Sequence, residues 1–186
     1  MSLPLETARL RLTPAVLEDW REYHPILADP ASGHRSNLPR NPTQKRTQGV
    51  VAWMVRIGKT GKGFAWMIRD RETGQLLGCI RINSIDHEQS TGIIGYEIGS
   101  GFWGRGYGTE ALRAVAQHGH REMGLFRLEA WTLEGNEQSD RVLLKAGFLY
   151  EGKQRQKMVL DGQRLDMSLF GRLADDPVAA TPPPAT

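Results

Sequence analysis

The sequence is short of the features that assign a function quickly. It holds one cysteine, Cys79. A lone thiol excludes an internal disulfide and any metal site built on several cysteines, and it suits a reducing, cytoplasmic home. No run of about 18 apolar residues occurs, so no membrane-spanning helix is expected. The first twelve residues carry leucines and arginines but lack the apolar stretch of a secretory signal. Charge of one sign is also scarce: 24 basic residues against 21 acidic ones leave a net +3. Nucleic-acid binding asks for a clustered basic face, so none is expected. The one locally basic segment (Arg35, Arg40, Lys45, Arg46) reads as a solvated loop and helix start, or else as a contact for an acidic partner or a cofactor phosphate. No internal repeat is present. The 186 residues suit one domain with a sizeable core. That domain is placed at residues 1–173. The remaining 174–186, rich in Asp, Pro, Ala and Thr, cannot bury enough surface to order themselves.

What is present is a change of hydrophobic period along the chain. Arg9-Leu10-Arg11-Leu12 alternates with period two and reads as a strand. Thr13-Pro14 then reads as a helix cap and first helical residue. The helix would carry Val16, Leu17, Trp20 and Tyr23 on one face and stop near Pro25. Residues 28–43, with three prolines, read as loop. A second helix is expected over about 43–57, with Val50, Val51, Met54 and Ile57 inward. Strands follow at 64–68, 76–85 and 92–98, joined by short polar turns as in an antiparallel meander. A helix is expected over about 106–123, with Ala111, Leu112, Val115 and Ala116 as its apolar face. A strand at 126–132 and a short helix at 138–146 come next. Strands at 156–160 and 164–170 flank Asp161-Gly162, a hairpin signal. The order β-α-α-β-β-β-α-β-α-β-β predicts an α+β fold with a mixed, mostly antiparallel central sheet flanked by helices.

At its middle lies Trp103-Gly104-Arg105-Gly106-Tyr107-Gly108-Thr109, three glycines in five residues between a strand and a helix. Glycine reaches positive φ and lets a ligand approach the backbone. The first turn of the helix adds unpaired N–H groups and a partial positive charge. Together these make an anion site. No Gly-Lys-Ser/Thr follows, so this is not a P-loop, and the meander before it does not fit a dinucleotide fingerprint. By spacing alone the turn is either an anion site or a tight strand–helix corner.

The run Gly95-Tyr96-Glu97-Ile98 with the glycine turn and Glu110-Ala111 resembles the acetyl-CoA motif of the GNAT superfamily of N-acetyltransferases. The likeness is strongest to the branch that acetylates ribosomal-protein N-termini, the RimJ/RimL-like enzymes. Asn136-Glu137-Gln138-Ser139, followed by Leu144-Lys145-Ala146-Gly147-Phe148, is similar to the family's Asn-x-x-Ser … Lys-x-Gly-Phe stretch. Residues 5–12 resemble the branch's opening strand. The resemblance spans roughly residues 5–172.

It implies a GNAT-type sheet, with acetyl-CoA as acyl donor and no metal. The pyrophosphate would sit on the main-chain N–H groups of Arg105, Gly106, Gly108 and Thr109. The strand end near Ile98 and Gly99 would splay from its neighbour and pair with the pantetheine amides. A main-chain N–H there would polarise the thioester carbonyl, an oxyanion-type stabilisation. Asn136 would bond the pantetheine arm. Ser139 would protonate or hydrogen-bond the leaving thiolate. Three positions depart from the pattern. Trp103 stands where the family has Gln or Arg. Leu143 stands four residues after the serine, where many members place an acidic tyrosine. Ile93 stands where the branch often has a glutamate.

Glu97 shares the strand parity of Ile93, ~13 Å further along, and is the candidate base beside Glu129 and Asp86. The acceptor would be a primary amine attacking directly. An α-amine, with a pKa near 7.7–8.0, costs only about 1 to 1.5 kcal/mol to deprotonate at pH 7, against roughly 4 to 5 for a lysine amine. A protein N-terminus is therefore the favoured acceptor. A small amine, or a CoA-binding module without chemistry, are the alternatives. His118 and His120 point to different helix faces, against a metal pair. Cys79 reads as a small core residue, and Trp131 as facing away from Leu128 and Ala130. A monomer or a homodimer is expected.

Overall fold

The structure is a computed structural model describing residues 4–33, 41–160 and 162–177. Eight strands form one sheet: β1 (Leu5–Glu6), β2 (Leu10–Pro14), β3 (Phe64–Asp70), β4 (Leu76–Asp86), β5 (Thr91–Ile98), β6 (Arg127–Leu133), β7 (Leu149–Leu160) and β8 (Gln163–Leu173). Their order is β1-β2-β3-β4-β5-β6-β8-β7. Every pairing is antiparallel except β5 with β6, which is parallel. The helices are α1 (Trp20–Ala28), α2 (Pro30–Gly33), α3 (Gln44–Lys59), α4 (Tyr107–Arg121) and α5 (Glu137–Lys145).

Strand alternation sorts these elements into layers. On β3, Ala65 and Met67 face Tyr23, Leu27, Val51 and Met54 of α1 and α3. Trp66 and Ile68 face the other way, into a core with Ala111, Leu112, Val115 and Ala116 of α4 and Leu143 of α5. The sheet therefore lies between α1/α3 and α4/α5. Cys79 is on the α1/α3 side, fully buried, with its Sγ 3.8 Å from Met54 Sδ. Burial above all pushes its thiol up to about 12.

The predicted order of elements holds, with differences at the start of the chain. Thr13 and Pro14 do not open a helix. Both belong to β2, with Thr13 opposite Met67 and Pro14 opposite Trp66. A proline is tolerated at a strand end, where its missing donor costs no central ladder bond. A single 3-10 turn, Leu17–Asp19, leads into α1, and Val16 and Leu17 are exposed rather than inward. The helix also does not stop at Pro25 but runs through it. Burial of Tyr23 and Leu27 on either side of Pro25 offsets the one ladder bond that proline removes. Residues 30–33, within the expected loop, form α2.

At the other end β7 and β8 are longer than predicted and close at Leu160 opposite Gln163. Gly162 has φ +77°, as the hairpin requires, while Asp161 lies outside the described residues. Within the segment 174–186, the described residues Ala174 and Asp176 take part in hydrogen bonds. Ala174 N–H donates to the Phe126 carbonyl at 2.8 Å and Leu173 N–H to Asp176 at 2.8 Å. Positions 178–186 lie outside the described residues, as do Arg35 and Arg40 of the basic segment. Among the described residues no helix is long and apolar enough to cross a membrane.

Candidate active site

The centre of the site is a break in the sheet. The parallel β5–β6 ladder has three rungs, ending at Ile93 opposite Glu129. Beyond it β6 stays with β8 and β5 stays with β4, so the two strands part. Gly99 N–H donates to the Leu77 carbonyl at 2.9 Å. Antiparallel pairs alternate between bonded and non-bonded. Glu97 is therefore bonded to β4, and the main-chain groups of Tyr96 and Ile98 point away from β4 into the gap. The gap opens onto the glycine turn as a cavity of about 340 Å³.

Positive φ is used twice at the turn, at Gly104 (+75°) and Gly106 (+80°). Gly106 is the N-cap of α4, and its carbonyl receives the first helical bond, from Glu110 N–H at 3.0 Å. The N–H groups of Tyr107, Gly108 and Thr109 thus have no intrahelical acceptor. All three residues line the cavity, with Arg141 and Lys145 of α5 across from them. Two cations and a helix N-terminus on one cavity favour an anion. Trp103 bridges the two halves of the motif: its indole N–H donates to the Ile98 carbonyl at 2.7 Å.

The turn is braced from the far end of the chain. Glu110 accepts from Thr7 Oγ1 (2.6 Å), Arg9 N–H (3.0 Å) and Arg9 Nε (2.7 Å). Arg9 Nη1 donates to the Arg105 carbonyl at 3.0 Å, and the guanidinium lies 4.7 Å over the Tyr107 ring. Burial raises the Glu110 carboxyl, but the bonds from Thr7 and Arg9 and the Arg9 charge outweigh it and hold it below its ordinary value.

From the α5 side, Asn136 caps the helix by accepting Ser139 N–H at 3.3 Å. This frees Ser139 from the capping role. Its Oγ lies 2.7 Å from Tyr96 Oη. Burial pushes the Tyr96 phenol well above its ordinary 10.0.

Of the predicted site residues, Glu97, Ile98, Gly106, Gly108, Thr109, Asn136 and Ser139 meet on this cavity. Gly99 and Arg105 do not line it. The Gly99 N–H is committed to β4, so the residue parity that faces the gap belongs to Ile98 and Tyr96. The Arg105 carbonyl is held by Arg9. Leu143, at the position where many family members place a tyrosine, is buried in the core.

Glu97 is not a free base. Both its oxygens pair with the Arg81 guanidinium, one of them at 2.7 Å, and Tyr23 Oη donates to it at 2.9 Å. Burial works against the Arg81 cation, but the Glu97 charge and hydrogen bonds outweigh it and keep it protonated. The other candidate carboxylates are engaged elsewhere. Glu129 pairs with Arg127 at 2.8 Å, and Asp86 accepts Gln89 N–H at 2.9 Å in a turn. Leu128, Ala130 and Thr132 are buried while Trp131 is half-buried, which puts Trp131 on the opposite face of β6. Among the described residues no group of three or more His, Cys, Asp and Glu is placed to hold a metal ion.

Sequence reasoning missed three partnerships: Tyr96 with Ser139, Arg81 with Glu97, and Thr7 and Arg9 with Glu110. The first was legible in part, since strand alternation separates Tyr96 and Ile98 from Glu97. The other two join residues 16 or more positions apart with no local signal.

A split sheet with a glycine-turn helix at its mouth defines a class of protein, and the sequence agrees. Residues 9–149 match the model of the acetyltransferase (GNAT) domain, and the chain belongs to that family. It is 28% identical over 166 residues to the uncharacterized N-acetyltransferase YoaA of Bacillus subtilis (strain 168), covering 89% of this chain and 94% of that one. It is 31% identical over 133 residues to the ribosomal-protein-serine acetyltransferase of Escherichia coli (strain K12), covering 72% and 71%. Among solved structures, RimL, a ribosomal L7/L12 α-N-protein acetyltransferase in complex with coenzyme A, superposes with a TM-score of 0.86 at 21% identity, covering 94% of this chain and all of that one. At that identity the likeness is one of fold.

Proposed function

We propose that this acetyltransferase moves the acetyl group of acetyl-CoA to a protein N-terminal α-amine by direct attack. The observation that carries the reading is the parting of β5 and β6 beside the glycine turn. It offers a thioester arm strand edges at Tyr96 and Ile98 that β6 does not pair, and a pyrophosphate the first-turn N–H groups of α4. The residues present fit that ligand: main-chain donors for amide and phosphate oxygens, Arg141 and Lys145 for anionic charge, and Ser139 within the cavity.

In this reading the Tyr107, Gly108 and Thr109 N–H groups bind the pyrophosphate. The Ile98 N–H, aimed into the gap, polarises the thioester carbonyl and stabilises charge that develops on its oxygen. Asn136 orients the arm and Ser139 meets the departing sulfur. The only cysteine is buried with its thiol at about 12, which supports transfer without an acyl-cysteine. Glu97, tied to Arg81 and Tyr23, shapes the acceptor side of the gap; an α-amine costs only about 1 to 1.5 kcal/mol to deprotonate at pH 7 without it. The acceptor class is supported by the name of the Escherichia coli relative, a ribosomal-protein-serine acetyltransferase.

The test is release of free CoA thiol from acetyl-CoA with three acceptor sets: ribosomal-protein N-terminal peptides, the same peptides blocked at the N-terminus, and small amines. Turnover is expected only with free N-termini. Turnover with small amines alone overturns the acceptor, and CoA binding without turnover on any acceptor overturns the enzyme reading. With the peptide, kcat/KM should rise with a pKa about 8, set by the α-amine, and not near 10.4 as for lysine.

A further inference from the structure

The tyrosine that many family members place four residues after the serine is absent from α5, where Leu143 is buried in the core. A different tyrosine reaches the same serine from the sheet. Tyr96 sits on β5 at a position whose main chain faces the gap. Its ring lies on the α4/α5 side, against Gly108 and near α5, and its Oη is 2.7 Å from Ser139 Oγ. Both residues line the cavity. We propose that Tyr96 is a positioning residue: it donates its hydrogen bond to Ser139 Oγ and so turns the serine proton toward the sulfur leaving the thioester. The proposal rests on the acetyl-CoA reading above and assigns it a residue outside α5.

The direction of the bond follows from what each group can do. A phenol has one O–H to donate and a hydroxyl can accept as well as donate. Burial keeps Tyr96 protonated far into the alkaline range, so it is a constant donor. Its alternative acceptor, the Ser139 carbonyl, is 3.3 Å away and already serves the ladder of α5. The serine oxygen is the better acceptor, which leaves the serine hydrogen to point elsewhere, into the cavity.

The chemistry balances without either residue changing state. The amine lone pair forms the C–N bond, and the nitrogen then loses one proton to water. The C–S bond breaks with its electron pair going to sulfur, and the Ser139 O–H donates a hydrogen bond to that thiolate. An alcohol holds its proton far more tightly than a thiol, so Ser139 keeps it, and the thiolate takes its proton from solvent. Hydrogen bonds to charged groups are roughly twice as strong as neutral ones, so the pair acts mainly when sulfur carries charge.

Tyr96→Phe keeps the ring and removes the hydroxyl. With acetyl-CoA and a peptide acceptor, kcat should fall about 10-fold or more, with the KM for acetyl-CoA unchanged. In a Ser139→Ala background the same substitution should cost nothing further, because Tyr96 acts through the serine. Both losses should shrink with an acetyl thioester of a more acidic thiol, which departs without help. A fluorinated tyrosine at position 96 keeps the hydroxyl but ionises at lower pH. It should match the wild type near neutrality and lose kcat at alkaline pH, where the wild type stays level. Additive losses in the double variant, a loss confined to KM, or equal losses on both thioesters would overturn the role of Tyr96 alone. Failure of the wild-type protein to turn over acetyl-CoA with any acceptor would overturn the underlying reading as well.

Discussion

Gly106 and Gly108 stand two residues apart in one turn and meet different constraints. Gly106 has φ +80°, a left-handed conformation that costs an L-residue roughly 1–2 kcal/mol. Gly108 is inside α4, and a Cβ there would meet Ile98, Val142 and Tyr96 at 3.6–3.8 Å, ordinary contact distances. Gly106→Ala should therefore lower stability by about 1 to 2 kcal/mol and weaken CoA binding. Gly108→Ala should leave stability near the wild type. Urea denaturation and CoA titration of the two variants check this. Glu97 presents a similar choice between roles. Removing it leaves Arg81, 5% exposed, without its counter-charge, and breaking such a pair costs about 3–5 kcal/mol. Glu97→Ala should be strongly destabilised in urea. A large loss of kcat with unchanged stability would make Glu97 the base instead.

At the scale of elements, the opening segment and α4 act as one unit. Glu110 is a carboxylate in the first turn of a helix whose N-terminus is read here as a pyrophosphate site. Unpaired, its charge would oppose the anion; Arg9 neutralises it at 2.6 Å and also holds the Arg105 carbonyl. Arg9→Ala should raise the KM for acetyl-CoA about 10-fold, by roughly the 1–2 kcal/mol of a charge-assisted bond, with kcat nearly unchanged. The same pair gives an acid-side signature. Glu110 is held below its ordinary 4.5, so its contribution to stability is fully present above that pH and is lost as pH falls through the depressed value. Glu110→Gln should flatten the stability profile below about pH 4.5 and leave the neutral-to-alkaline side unchanged in slope, which thermal melts across pH would show.

At the scale of the whole molecule, the site exists because two neighbouring strands choose different partners. β6 follows β8 and β5 follows β4, and the wedge between them is floored by α4 and α5. Local signals located most of the elements around it: the period-two strands, the 3.6-period face of α4, and the glycine turn. They failed at Pro14 and Pro25. There, local proline rules read a helix start and stop, while pairing with β3 and the burial of Tyr23 and Leu27 made a strand end and a helix interior.

The sequence by itself determined the glycine turn, the Asn136–Ser139 motif and the order of elements, because each depends on residues close along the chain. From these the family was already legible. The tertiary structure decided which main-chain groups face the gap, that Glu97 is bound to Arg81 and Tyr23, and that Tyr96 meets Ser139 across 43 positions. Those outcomes depend on strand pairing and on which face of the sheet each side chain takes. The anion-ready turn that stood out first is thus half of a site whose other half is made only when β5 parts from β6.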